Sequence, residues 1–274
     1  MGGIHSKKTL PTGLSGPRHL FDAWPEIVRR TRAAARIVLF ADFDGTLTPI
    51  RRWPGRVNLG DRVRALLAEI SGNGVTVGII SGRRVTDIET RVGLRWIWYV
   101  GEHGYALQEP SGKVVTFVSE RSLVRMDIVR RKLASELRGA SGILVEPKEA
   151  TVAVHYRNAA PAARQVVRKK IHRLLESYPP LHLLSGKKVW ELLPNGRTTK
   201  WTAIRHILKS ARRRRSDRRL VFYLGDDSTD ERVFEKMKGI SVVVGRRRPT
   251  AARYFLRSPT EVKEFLEKFC EVVR

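Results

Sequence analysis

Ala41-Asp42-Phe43-Asp44-Gly45-Thr46-Leu47-Thr48-Pro49-Ile50 follows directly on the apolar run Ile37-Val38-Leu39-Phe40. A short, continuous run of that kind reads as a buried parallel strand, and Gly45 opens the turn that ends it. Two carboxylates one residue apart therefore leave the carboxyl end of a strand together. In open α/β sheets that edge is where ligands bind. Side chains alternate along a strand, so Asp42 and Asp44 share a face wherever the strand stays regular. Two close carboxylates repel, and a divalent cation is the usual relief.

The pattern returns near the other end. Arg219-Leu220-Val221-Phe222-Tyr223-Leu224 is a second apolar strand, running into Gly225-Asp226-Asp227-Ser228-Thr229-Asp230-Glu231 and then a helical pattern at Val233, Phe234 and Met237. Hard oxygen donors of this kind suit Mg²⁺, which keeps several waters and takes few carboxylates. Between the two clusters, Val75-Thr76-Val77-Gly78-Ile79-Ile80 leads into Ser81-Gly82-Arg83. A hydroxyl and free amides at a helix start make an anion site. Lys200 follows the turn Pro194-Asn195-Gly196 and opens a helix carrying Trp201, Ile204 and Ile207. A lysine in that place is able to meet a phosphate as a point charge.

The order DxDGT, SGR, a lone Lys and GDDxTDE resembles the haloacid dehalogenase superfamily of phosphotransferases. The finer likeness is to the trehalose-6-phosphate phosphatases. It rests on Asp42 to Ile50, Ser81-Gly82-Arg83, Gly101-Glu102-His103-Gly104, Gly225 to Glu231, and the segment from Val145-Glu146-Pro147-Lys148 through Val154-His155-Tyr156-Arg157. The resemblance implies an α/β fold: a Rossmann-like core with a parallel sheet flanked by helices, plus an inserted α+β cap. It also implies hydrolysis of a sugar phosphate such as trehalose 6-phosphate. Close alternatives are a related phosphatase for sucrose 6-phosphate or mannosyl-3-phosphoglycerate. An alternative of another class is a basic nucleic-acid-binding module on an inactive phosphatase fold.

By the same resemblance, Asp42 is the nucleophile and Asp44 the general acid, then base. Mg²⁺ is held by Asp42, Asp226 and the backbone carbonyl of Asp44, with Asp230 holding a metal-bound water. Ser81 and nearby amides, with Lys200, bind the phosphoryl oxygens. Asp227 is either a ligand or an orienter of Lys200. Gly45, Gly82, Arg83, Glu102 and His103 join the substrate site from the core, and Glu146, Lys148, His155, Arg157 and Glu191 from the cap. Three positions depart from the family pattern: Trp201 and Glu149 each stand where Gly is usual after Lys, and Leu193 where an Arg before Pro is frequent.

Bulk properties agree. The chain has 274 residues, enough for a large core, and 42% hydrophobic residues, ordinary for a globular protein. No apolar run approaches the roughly 20 residues of a membrane helix, and no membrane partner is expected. Cys270 is the only cysteine, so no internal disulfide forms, which fits a reducing cytoplasm. No secretory signal precedes the first strand, and a cytoplasmic monomer is the expectation. The net charge of +26 and the run Arg212-Arg213-Arg214-Arg215 raise nucleic-acid binding. The run lacks interleaved aromatics for base stacking, so it reads as a solvated, arginine-heavy surface that also steers an anionic substrate inward.

The expected organisation is a loose arm over residues 1–18, a core over 19–104 and 186–274, and a cap over 105–185. Helices are expected over 19–35 and 60–71 and around Leu123–Leu137 and Val166–Leu175. Trp96 to Val100 reads as a strand, and residues 113–118 and 151–156 alternate as antiparallel strands of the cap. Hinges are expected near Gly101–Gly104 and at Ser185-Gly186.

Overall fold

The structure is a computed structural model describing residues 16–51, 57–186, 188–194, 198–210, 218–245 and 249–274. The Asp42 strand, β2 (Arg36–Asp42), is buried from Val38 onward. Its neighbours are β11 (Arg219–Gly225) and β3 (Thr76–Ile80), both parallel, with Ala41 beside Leu224 and Asp42 beside Ile80. The sheet extends through β4 (Trp98–Gly101) on one side and β12 (Ile240–Val244), β13 (Tyr254–Leu256) and β1 (Arg18–His19) on the other. The chain moves outward from β2 to β3 and β4, then returns to β11 and moves the opposite way. The switch point of the fold therefore lies between β2 and β11, at the strand ends that carry the two acidic clusters.

Alternation in β2 divides the core. Leu39 and Ala41 face α1 (Trp24–Arg32), α2 (Asp61–Gly72), α3 (Val85–Val92) and α8 (Pro259–Val273). Val38 and Phe40 face α6 (Lys200–Ser210) and α7 (Ser228–Lys236). Each fully buried Leu, Ile or Phe contributes about 1.5–3 kcal/mol, and strand ends anchored by such layers hold their side chains firmly.

A second sheet of four antiparallel strands is ordered β7 (Leu144–Pro147), β8 (Val152–His155), β10 (Val189–Leu193) and β9 (His182–Gly186). α4 (Glu120–Glu136) and α5 (Pro161–Ser177) both cover its Val152, Val154, Trp190 and Leu192 face. By alternation, Glu146, Ala153 and Glu191, which pair across the strands, occupy the other face.

Several expectations are corrected. Residues 113–118 do not belong to the cap sheet: β5 (Ala106–Gln108) and β6 (Val114–Thr116) continue the large sheet antiparallel from β4. The small sheet runs past residue 185 to Leu193, because β10 pairs with both β8 and β9. Ser185 and Gly186 lie inside that ladder, opposite Trp190 and Val189, which removes them as a hinge. Of the expected arm, residues 1–15 lie outside the described residues, and Arg18–His19 is an edge strand on β13. The helix expected over 19–35 narrows to Trp24–Arg32, with Pro at its first turn, where no N–H bond is lost. The strand expected from Trp96 begins at Trp98, because Trp96 has φ +65, outside the extended region. The arginine run 212–215 lies outside the described residues. No helix among those described is long and apolar enough to cross a membrane.

Candidate active site

Past β2 the chain folds back on itself within four residues. Gly45 N–H donates to Thr48 O at 2.7 Å, and Thr48 N–H donates to Phe43 O at 3.0 Å. Gly45 holds φ +96, and a Cβ there would collide with the Asp226 carboxylate. Glycine is required both for the turn and for bringing the second acidic cluster against the first.

Lys200, at the start of α6, lies 2% exposed between two carboxylates. Its Nζ donates to Asp42 Oδ1 at 2.6 Å and to Asp230 Oδ1 at 2.7 Å. Burial pushes this ammonium down, but Asp230 and Asp42 more than reverse it, so Lys200 stays charged. Burial pushes the Asp42 carboxyl well above its ordinary value; Lys200 opposes this, while Asp230, Asp226 and Asp227 add to it. Asp42 is thus an acidic group whose anion is under-compensated by the protein alone.

That imbalance, and the chemistry of the donors, fit a hard divalent cation. Asp42, Asp226 and the Asp44 carbonyl supply only oxygens. Among the described residues no three His, Cys, Asp or Glu side chains form a ready-made cage. Magnesium completes such a partial set with waters. Asp230 is fully buried; Oδ1 accepts from Lys200 and from Tyr223 Oη–H at 2.6 Å, and Oδ2 accepts Asp227 N–H at 3.0 Å. Its carboxylate holds Lys200 in place beside Asp42. Asp227 caps α7: Oδ1 accepts Thr229 N–H at 2.7 Å and Thr229 Oγ1–H at 2.6 Å. Burial raises its carboxyl, but Lys200 and Thr229 bring it down to about 2.

Ser81 is buried just after β3, and its Oγ accepts Arg83 N–H at 3.1 Å. The helix begins only at Val85, so Ser81 closes a turn ahead of it rather than capping it. The Arg83 guanidinium, expected on substrate, grips Asp44 with Nε and Nη2, both at 2.7 Å, and reaches Asp87 at 3.1 Å. Such a fork fixes a carboxyl group in orientation.

The cap lowers its polar face onto these turns. Lys148 Nζ donates to Glu191 Oε1 at 2.5 Å and to the Gly82 carbonyl at 2.6 Å. His103 Nε2 lies 2.6 Å from Glu191 Oε2, and its ring fills the space a Cβ on Gly82 would take. Burial raises the Glu191 carboxyl, yet Lys148 and then His103 hold it well below the ordinary range. Glu146 pairs with His155 at 2.7 Å, which lowers its carboxyl. Arg157 lies past the end of β8, half-buried. Glu102, also expected on substrate, is instead fully buried and accepts two cap amides, from Glu149 at 3.0 Å and Ala150 at 2.9 Å. Burial and its neighbour Glu149 push Glu102 up to about 8.

Sequence reasoning missed Tyr223, read only as part of an apolar strand, and Thr151, whose Oγ1–H donates to Glu191 Oε1 at 3.1 Å. A hydroxyl-bearing residue inside an apolar strand, directly before an acidic cluster, was the available signal for Tyr223.

A family model described as Trehalose-phosphatase matches residues 40–260. Probable trehalose-phosphate phosphatase 3 of Oryza sativa subsp. japonica is 32% identical over 270 residues, covering 91% of this chain and 74% of that protein. Trehalose-phosphate phosphatase B of Arabidopsis thaliana is 30% identical over 267 residues, covering 92% and 70%. Among solved structures, the C-terminal domain of C. albicans trehalose-6-phosphate phosphatase superposes with a TM-score of 0.76 at 20% identity, covering 94% of this chain and 98% of that one. A trehalose-6-phosphate phosphatase related protein superposes with a TM-score of 0.75 at 22% identity, covering 86% and 97%. At those identities the superpositions speak for the fold, which is that of the haloacid dehalogenase-like hydrolases. Matched over most of its length by the family model and by relatives at 30% identity or above, the chain belongs to the trehalose-phosphatase family and is a phosphoric monoester hydrolase.

Proposed function

We propose that this phosphatase converts trehalose 6-phosphate to trehalose and phosphate through an aspartyl-phosphate on Asp42, with Mg²⁺ held by Asp42, Asp226 and the Asp44 carbonyl. The observation that carries the reading is the Asp42–Lys200–Asp230 array, buried at the switch point of the sheet, with Asp226 packed against Gly45. Bound there, Mg²⁺ supplies positive charge opposite the phosphoryl oxygens.

Asp42 Oδ attacks phosphorus in line, and the bond from phosphorus to the sugar oxygen breaks. Asp44 gives its proton to the departing oxygen, then takes one from water as that water attacks phosphorus. The Asp42–phosphate bond breaks and phosphate leaves. Lys200 keeps Asp42 aimed and adds charge at the phosphoryl group, and the Ser81 turn offers hydroxyl and amides to its oxygens. On the cap side, Lys148, Glu191, Glu146, His155 and Arg157, joined by His103 from the core, hydrogen-bond the sugar hydroxyls. Buried polar groups left unpaired by the wrong sugar are the source of discrimination. The protein works as a cytoplasmic monomer, and nucleic acid is not its partner.

The test is phosphate release from a sugar-phosphate panel. Trehalose 6-phosphate should be turned over fastest, chelator should stop it, and Asp42→Asn should lower kcat by on the order of 10⁴-fold or more. Equal rates across the panel would remove the substrate assignment, and an active Asp42→Asn would remove the covalent step.

A further inference from the structure

The turn Glu102–Gly104 that follows β4 addresses two elements of the cap at once. His103 reaches Glu191 on β10, while the two oxygens of the Glu102 carboxyl receive Glu149 N–H and Ala150 N–H from the turn between β7 and β8. The rest of that turn is tied down too. The Pro147 carbonyl accepts from Arg84 Nη2 at 2.5 Å, and Lys148 donates to the Gly82 carbonyl at 2.6 Å. Four consecutive cap residues therefore bond to core groups. Of these core groups only Glu102 is fully buried, and only it takes two amides. Ala150 packs beside it with Tyr105 and Leu193. Glu102 and His103 both hold left-handed backbone, at φ +50 and +57. Non-glycine residues keep such conformations where the surroundings over-determine them, and such sites cluster at ligand clamps.

We infer that Glu102 is a positioning residue: it seats the β7–β8 turn of the cap on the core so that Lys148 and Glu146, on that turn and its first strand, face the catalytic edge. It acts through the cap and touches no substrate. The consequence is selective. A substrate whose sugar reaches the cap depends on Glu102, and a small aryl phosphate does not. In naming a disaccharide phosphate as the dependent substrate, the inference rests on the function proposed above.

Two variants test it. Glu102→Met keeps the shape and removes both acceptors; Glu102→Gln keeps one. The ratio of kcat/KM for trehalose 6-phosphate to that for p-nitrophenyl phosphate should fall about 10–100-fold in Glu102→Met, the scale of a substrate misplaced by about 1 Å. It should fall less in Glu102→Gln. An unchanged ratio overturns the inference, whether both rates hold or both fall together. Amide hydrogen exchange gives a readout that needs no substrate. Exchange over residues 147–151 should speed up at least tenfold in Glu102→Met while α2 and α8 keep wild-type protection. Unchanged exchange there overturns the clasp. Faster exchange in Glu102→Met, alongside a wild type that does not turn over trehalose 6-phosphate, retains the clasp and rejects only the substrate.

Discussion

Lys200 in the core and Lys148 in the cap are both buried, each with its ammonium on a carboxylate within 2.6 Å. They differ in what their partners belong to. Lys200 joins Asp42 at the end of β2 to Asp230 on α7, both fixed by the same packed sheet. Lys148 joins Glu191 of the cap to the Gly82 carbonyl of the core. The same chemistry thus does two jobs. Inside one packed unit a buried ammonium organises reacting groups; across a seam it sets how two units sit on each other. If the proposed function holds, bond breaking falls to the strand ends of one packed unit and recognition to the seam.

The largest expected effect comes from breaking the core pair. Lys200→Met leaves Asp42 and Asp230 carboxylates buried without their cation. Removing one partner of a buried pair costs about 3–5 kcal/mol, read as a lower urea midpoint at unchanged slope. The deficit should narrow as pH falls, because protonating Asp42 removes the uncompensated charge. A loss under 1 kcal/mol would mean that Lys200 does not organise the core site.

Lys148→Met should cost less in stability, about 1–3 kcal/mol, because Glu191 keeps His103 and Thr151 as partners. Its main effect should fall on KM for trehalose 6-phosphate, with a smaller change for p-nitrophenyl phosphate. Equal losses on both substrates would erase the distinction between the lysines.

The two regions were also unequally legible. The catalytic edge announces itself in sequence because turn geometry demands Gly45, hard carboxylates must follow strands, and Lys200 must open a helix. The cap's limits do not. Three-residue strands such as Ala106–Gln108 and Val114–Thr116 alternate alike in either sheet, and alternation does not say which edge they join. Polar residues deceive in the same way. Glu102, Arg83 and Asp230 sit in the expected motifs, and their charge reads as a ligand's. Whether a charged side chain meets a substrate, a metal or a neighbouring protein group depends on partners tens of residues away, here Glu149, Asp44 and Lys200. Tyr223 fails in the opposite sense: its ring belongs to the core pattern, and only its hydroxyl reaches the site.

The smallest expected effect is a pH dependence at Glu191. Glu191 is buried, yet Lys148 and His103 hold its carboxyl below the ordinary glutamate range. At acid pH the unfolded chain therefore binds a proton at this position that the folded chain resists. Stability contributed by ionised Glu191 is complete above its ordinary value of about 4.3 and is lost as pH falls below it. Glu191→Gln has no such proton to resist. The stability gap between wild type and Glu191→Gln should be widest near neutrality and should close below pH of about 4.3, by roughly 1.4 kcal/mol per pH unit. Thermal or urea unfolding at several pH values between 7 and 3 measures it. A gap constant over that range would mean that Lys148 and His103 do not hold Glu191 as an anion at the seam. The cap would then be seated by its amides on Glu102, by the Gly82 and Arg84 bonds to the same turn and by packing.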